Sequence, residues 1–561
     1  MTRPYRGRED DPDKGAGGAR LRYGSAVLSG ALLAAAFPPP GLRWLCWIAL
    51  VPWFSVLLRD RGAGHRGPSC AFGLAYFTMG SWWLSDLSLP FPFLLAAFLS
   101  LYPLLFAVLV RLASPLGAPK TAALLPFLWV GTDLLRQHLF TGFPWLFPGH
   151  ALAASPTLRQ AADLGGAHLL TFEVVLAGAA GGLLGAHLLR PKRKIGVPAP
   201  ARWGMICASV VLPLCLSLYG DSRRLSLRDR PGPRVLLVQP CFPQTMKKEA
   251  RESLPKAEEM LSRQRFLSIE GVMMHPGTDL VVWAETMIPG DLRAQARLGG
   301  GADAETRVLL LEIADPVGVV PSGKRRFLGG AIVRNADKGK RNAVLLVGPR
   351  GAIEARCDKT HLTPFGEYLP LLGLLPERGR QAVREWVKSF SPFLPDLVPG
   401  EAGPMAVEVP GPGRVNLGCL VCYEVAFPGI ARERVRQGAD VLVNLSNYAW
   451  YGAGMREQAL DFARLRAVET RRPVVLAAND GPTAILDGNG EVRKSLEPGV
   501  RGVLFGEVPL DGRGSVHLAA GDLFAFAAAL LGLVGAGRGW LSGRRRSREA
   551  AGNPSGTLKN C

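Results

Sequence analysis

The sequence predicts a chain in two parts: a multi-pass α-helical membrane domain of about eight spans, and an extracytoplasmic α/β domain carried between the last two spans. Three observations predict it. Nearly half of the 561 residues are hydrophobic (48%) while the formal charge is +20, a pairing that suits a membrane protein with basic loops better than a water-soluble enzyme. Long apolar runs fill the N-terminal third and recur once near the C-terminus. Between them the pattern changes to short β-branched and Leu-rich runs separated by turn residues and helical stretches.

The first 20 residues are polar and basic, and seven apolar runs follow, at about 21–38, 41–58, 69–85, 91–110, 119–135, 165–189 and 203–219. Each is close to the roughly 20 residues a spanning helix needs. An eighth runs over about 516–537. No small-residue cleavage site follows the first run, which is therefore read as a retained span. Lys and Arg collect at the N-terminus, at 59–66, at Arg111 and Lys120, at 190–194 and at 543–548. With eight spans all five clusters fall on one side, which by the positive-inside rule is the cytoplasm of a bacterial inner membrane. The expected boundaries are 1–20 for a basic cytoplasmic N-terminus, 21–220 for seven spans, 221–514 for a periplasmic domain, 515–538 for the eighth span and 539–561 for a basic cytoplasmic tail. Topology thus accounts for much of the basic excess, and nucleic acid is not an expected partner.

In the α/β part, strands are expected at 234–240, 279–285, 325–334, 342–348, 414–424, 440–447, 472–479 and 483–487, with helices at 249–272, 304–314 and 454–471. Three strand ends deliver a carboxylate, an amine and a thiol: Glu285 after "VVWA", Lys359 in "CDKTHL" and Cys422 after "GCLV". These form an acyl-transfer set. A thiol with an ordinary pKa of about 8.5 is mostly protonated at neutral pH and needs a base, the role open to Glu285. The tetrahedral oxyanion needs a fixed positive charge, the role open to Lys359.

Cys419 and Cys422 raise the question of a metal or redox pair. On one strand, residues i and i+3 would lie roughly 10 Å apart on opposite faces, too far for a disulfide. The other cysteines and eight histidines offer no second pair for zinc, so no metal is expected. Cys419 reads as a small core residue and Cys422 as the nucleophile.

"VVWAETMIPG", "KTHLTPFGEYLP" and "CLVCYEVAFP", in that order, resemble the carbon-nitrogen hydrolase (nitrilase) superfamily, which implies an αββα sandwich and a Glu-Lys-Cys triad. With "NLSNYAWYG" (444–452), "LRAVETRRPVVLAANDG" (465–481), "TGFPWL" (141–146) and "GDLFAF" (521–526), the resemblance narrows to the apolipoprotein N-acyltransferase family and covers nearly the whole chain. It implies Glu285 as base, Lys359 as oxyanion stabiliser, Cys422 as nucleophile, Glu367 as the carboxylate that orients the lysine, and Tyr423 and Glu424 as supports of the acyl pocket. The implied reaction moves a fatty acyl group from a membrane phospholipid, through a thioester, to the N-terminal amine of a diacylglyceryl-modified apolipoprotein, with no cofactor. Extracting a chain of about fifteen methylenes from a bilayer costs on the order of 12 kcal/mol at ~0.8 kcal/mol each, so an enzyme for this reaction belongs in the membrane. Other readings are a membrane-anchored amidase with the same triad, a paralogue with another acceptor, and a non-enzymatic scaffold.

The chain departs from the family's pattern at Ala284, where Pro is usual, at Tyr448, Ala459 and Leu476, and at Lys247 or Lys248, where a Trp is expected. Between Lys359 and Cys422, Val383, Trp386, Val387 and Phe390 recur at helical spacing, which predicts a core-packed helix or an amphipathic lid at the membrane surface, with Trp386 and Phe390 as its lipid-facing residues.

Overall fold

A computed structural model describes residues 16–189, 198–293, 325–334, 339–348, 351–370, 372–388 and 397–551. Every apolar run falls on helix. Among the described residues, four helices are long and apolar enough to cross a membrane: Phe91–Leu116, Leu158–Leu188, Ala199–Leu225 and Leu523–Glu549. The runs at 21–38, 41–58, 69–85 and 119–135 lie on Ala16–Ala35, Val51–Arg59, Arg66–Gly80 and Ala118–His138, which do not reach that combination of length and apolarity. Flat aromatic rings fill the bundle interior, with Trp53 stacked on Phe72 at 4.4 Å and Phe106 edge-on to Trp129 at 5.0 Å.

The α/β part contains two sheets. The first is ordered β13 (Gly502–Glu507), β1 (Arg234–Gln239), β2 (Leu280–Trp283), β4 (Arg326–Arg334), β5 (Lys340–Val347), β6 (Ile353–Asp358), with β3 (Ile288–Arg293) also on β4. The second is ordered β12 (Val492–Leu496), β11 (Thr483–Leu486), β10 (Val474–Ala478), β9 (Val441–Ser446), β8 (Gly413–Val421), β7 (Met405–Val409). Leu237, Val282 and Leu346 of the first sheet and Leu417, Val443 and Val475 of the second share one buried cluster, so the sheets pack face to face. The other face of the first sheet is covered by helices Gln244–Glu252 and Leu254–Met274, through residues such as Val281, Met260 and Val272. On the second sheet, Leu442 and Leu476 pack beneath the helix Ala453–Thr470 through Phe462 and Leu465. The layers are thus α, β, β, α.

That last helix has a second neighbour, because its cluster continues without a break into the membrane helices through Trp145, Phe147 and Leu152. Buried polar bonds tie the same join. Asp163 accepts from Arg471 at 2.6 Å, Arg223 at 2.8 Å and the Tyr219 hydroxyl at 2.5 Å. Gln458 accepts from the indoles of Trp145 and Trp83 and donates to the carbonyls of Pro38 and Gly80. Farther along the chain, Leu523–Ala551 packs its Ala525 and Ala528 on Val130 and Leu134, and Gln137 donates to Asp522 at 2.7 Å.

Some elements differ from the sequence reading. The helix expected at 249–272 is two helices, broken at Ser253, whose extended backbone precedes a start with proline in its first turn. The sequence pattern does not predict strands β3, β6, β7, β12 and β13 or the helix Pro428–Arg436; the exposed residues of β12 and β6 blur their alternation. The helix expected at 304–314 lies outside the described residues.

Candidate active site

Chain direction explains why three distant residues meet. Strands β2 and β4 are parallel, β4 and β5 antiparallel, and β5 and β6 antiparallel, so β2 and β6 point the same way. Glu285 follows β2 and Lys359 follows β6, placing both at one end of the first sheet. In the facing sheet the parallel pair β8 and β9 delivers Cys422 and Asn447. Glu285, Lys359, Glu367, Cys422 and Asn447 line one cleft of about 140 Å³, and Leu87, in the turn between Trp82–Asp86 and Phe91–Leu99 of the N-terminal part, joins its wall.

Cys422 is the first residue past β8 rather than part of it, and its φ of +53° turns the chain sharply. Its neighbour Cys419 stays in the strand, fully buried between the sheets. The two cysteines therefore differ in backbone setting as well as in side-chain direction. A non-glycine residue in the left-handed region is uncommon and is retained where surrounding structure enforces it. Here Asn444 donates to the carbonyl of Cys422 at 3.2 Å, and Glu424 accepts from the Val421 amide at 2.8 Å.

The carboxylates are held individually. Lys359 Nζ lies 2.8 Å from Glu367 Oε2 and 3.9 Å from Glu285 Oε1. Asn342 bridges the two acids, donating to Glu285 Oε1 at 2.8 Å and Glu367 Oε1 at 3.1 Å, while its carbonyl accepts from the Lys359 amide. The second Glu285 oxygen accepts from the Asn447 amide at 3.0 Å. Thr363 donates its amide to Glu367 at 2.8 Å.

Burial raises the Glu285 carboxyl above the ordinary carboxylate range, against the pull of Lys359. Burial also works against the Lys359 cation, but Glu367 and Glu285 outweigh it and the amine is held above its usual value. The Cys422 thiol is pushed up by burial and by Glu285. The ammonium is therefore fixed, and the thiol holds its proton in the cleft that Glu285 also lines.

Tyr423 and Glu424 do not line the cleft. Glu424 is fully buried and accepts from the Thr360 amide and hydroxyl and the His361 amide, tying the turn after β8 to the turn that carries Lys359. Tyr423 stacks on Trp145 at 6.0 Å and donates to the Gly142 carbonyl, so the nucleophile's neighbour rests on the "TGFPWL" loop of the membrane helices. Trp386 lies on the helix Glu377–Lys388, half exposed at 50%, whereas Val387 beside it is fully buried. Phe390 lies outside the described residues. Ala284 and Leu476 are plain core residues, and Tyr448 is buried with its hydroxyl on Asn444.

Sequence reasoning missed Asn342, Asn444 and Thr363. The available signal was polarity at Asn444, which interrupts the apolar strand VLVNLS, where a buried amide must have a structural partner; Asn342 follows Lys340 and Arg341 at the polar start of β5 and carries no such signal.

The family model for the N-terminal domain of apolipoprotein N-acyltransferase matches residues 29–180, and that for carbon-nitrogen hydrolase matches residues 237–517. The apolipoprotein N-acyltransferase of Geobacter metallireducens is 33% identical over 91% of this chain and 93% of its own. Those of Allorhizobium ampelinum (31% identical, covering 85% and 88%) and Bradyrhizobium diazoefficiens (29% identical, covering 89% and 91%) are similar to it as well.

Proposed function

This chain belongs to the apolipoprotein N-acyltransferase family, and from that premise we propose that it takes a fatty acyl group from a membrane phospholipid onto Cys422 and passes it to the N-terminal α-amine of a diacylglyceryl-modified apolipoprotein. The observation that carries the reading is one cleft lined by Glu285, Lys359 and Cys422 together with Leu87, from a turn of the N-terminal part.

In the first step Glu285 takes the thiol proton as sulfur attacks the ester carbonyl. The oxyanion forms beside the Lys359 ammonium, which is already fixed by Glu367 and costs no reorganisation at the moment of reaction. Collapse expels the lysophospholipid alkoxide, which recovers the proton from Glu285. In the second step the acceptor amine attacks the thioester, gives its proton to Glu285, and displaces the Cys422 thiolate, which is reprotonated. An amide is far less reactive than a thioester, so the sequence runs forward without a nucleotide or other cofactor. Because Glu285 must be ionised, acylation falls as pH falls through a carboxyl value raised by burial.

We read the chain as eight spans with domain limits at 1–20, 21–220, 221–514, 515–538 and 539–561, both termini cytoplasmic and the catalytic domain periplasmic. Protease added outside spheroplasts should leave the tail intact; external cleavage of the tail would overturn that topology.

The chemistry is tested by intact mass after incubation with phospholipid, with and without a diacylated lipopeptide. An acyl adduct on Cys422 that moves to the lipopeptide amine is expected, and Cys422→Ala should abolish it. An adduct lost equally fast without lipopeptide would mark a hydrolase, and absence of any adduct would remove the acyltransferase reading.

A further inference from the structure

A second buried lysine stands behind the base. Lys247, on the helix Gln244–Glu252, is 8% exposed, and its ammonium donates to the Thr286 hydroxyl at 2.8 Å and reaches the Glu285 carbonyl at 3.5 Å. An ammonium has three donors, and two of them meet oxygens of the turn that bears the base. Asn447, whose backbone amide holds Glu285 Oε2, lines the same cleft.

That turn is under constraint. Thr286 is β-branched and yet has a φ of +51°, a conformation such residues rarely adopt. On its far side β4 presses so close that a Cβ on Gly330 would lie 2.6 Å from the Thr286 nitrogen and 2.8 Å from the Glu285 Cα. The turn is therefore gripped between a glycine of β4 and the Lys247 ammonium.

We propose that Lys247 is a positioning residue for the base: by binding the Glu285–Thr286 turn, it fixes the Glu285 carboxylate in the cleft it shares with Cys422. The ammonium also adds positive charge near that carboxylate. The titratable groups around Glu285 are Lys359, Glu367, Lys247, the Cys422 thiol and the Tyr448 and Tyr451 hydroxyls, so loss of Lys247 leaves one cation against a second acid.

The inference rests on Glu285 serving Cys422 as base, as read above, and is independent of which lipid or amine is used. It is therefore tested with a simple ester, p-nitrophenyl decanoate, on the full-length enzyme in detergent, following p-nitrophenolate release and the Cys422 adduct across pH. Lys247→Met should lower the limiting acylation rate at least about tenfold and move its acid limb upward by roughly one pH unit, with KM nearly unchanged. Thr286→Val, which removes only the hydroxyl, should shift both in the same direction by less. Wild-type rate and acid limb in Lys247→Met would overturn the proposal. So would a rate loss with an unmoved limb and a lowered thermal midpoint, which would make the lysine merely structural, and so would failure of the wild-type thiol to acylate at all. If the ester responds as expected while phospholipid and lipopeptide give no transfer, the acyltransferase reading fails and the positioning role stands.

Discussion

The two halves of the molecule place their polar groups by opposite rules. In the catalytic half, polar side chains gather at strand ends around an open cleft, where Glu285, Lys359 and Cys422 are available to a substrate. In the membrane half, outward faces are apolar, and buried polar groups such as Asp163 and Gln137 are drawn inward to the join with the catalytic half or to its connections. The helix Ala199–Leu225 makes the contrast plain, with Trp203, Val210, Leu214 and Leu218 all exposed. The difference teaches that polarity at the strand ends of the cleft serves chemistry, whereas the buried polar bonds at the join serve attachment.

The strongest way to break that division is Asp163→Ala. It would strand Arg471, which is completely buried, without its carboxylate. Removing one partner of a buried ion pair costs about 3–5 kcal/mol, so thermal unfolding in detergent should drop markedly while Cys422 retains its local contacts. A cut of comparable size is Gln458→Ala, which leaves two indole donors and two carbonyls of the membrane half unpaired. An unsatisfied buried group costs about 1–3 kcal/mol. This change should also reach the chemistry: Trp145 stacks on Tyr423 next to the nucleophile, so acyl-enzyme formation should slow by about tenfold, read as adduct mass against time. Unaltered acylation in a destabilised Gln458 variant would sharpen the division into one of strict attachment.

Much of this arrangement was legible in the residues. Glu285 and Cys422 could be picked out because each ends an apolar run and carries a reactive group, whereas Lys359 and Glu367 came with the phrase "KTHLTPFGEYLP" around them. The sandwich's central strands were legible for the same reason, since buried strands are apolar throughout. Edge strands β6 and β12 were not, because half-exposed residues erase the pattern. Nor could spacing reveal that Asn342 bridges two acids from a neighbouring strand, or that Glu424 ties one catalytic turn to another, because these contacts exist only after the sheets are assembled. Hydropathy had its own blind spot: Leu158–Leu188 and Ala199–Leu225 are both apolar enough to span, yet 67% of the first and 6% of the second is buried in the protein.

The docking of Leu523–Ala551 against Ala118–His138 has a consequence for the order in which the molecule is made. Asp522, whose carboxylate meets Gln137, is 385 residues downstream of it. Until the ribosome has delivered the whole catalytic half, Val130 and Leu134 have no Ala525 or Ala528 to pack against. The bundle is therefore born with one side open, facing lipid, and is sealed last. Strands β1 and β13 are hydrogen-bonded neighbours, so the chain leaves the catalytic half beside the point where it entered. The final helix then arrives already close to the gap it must fill.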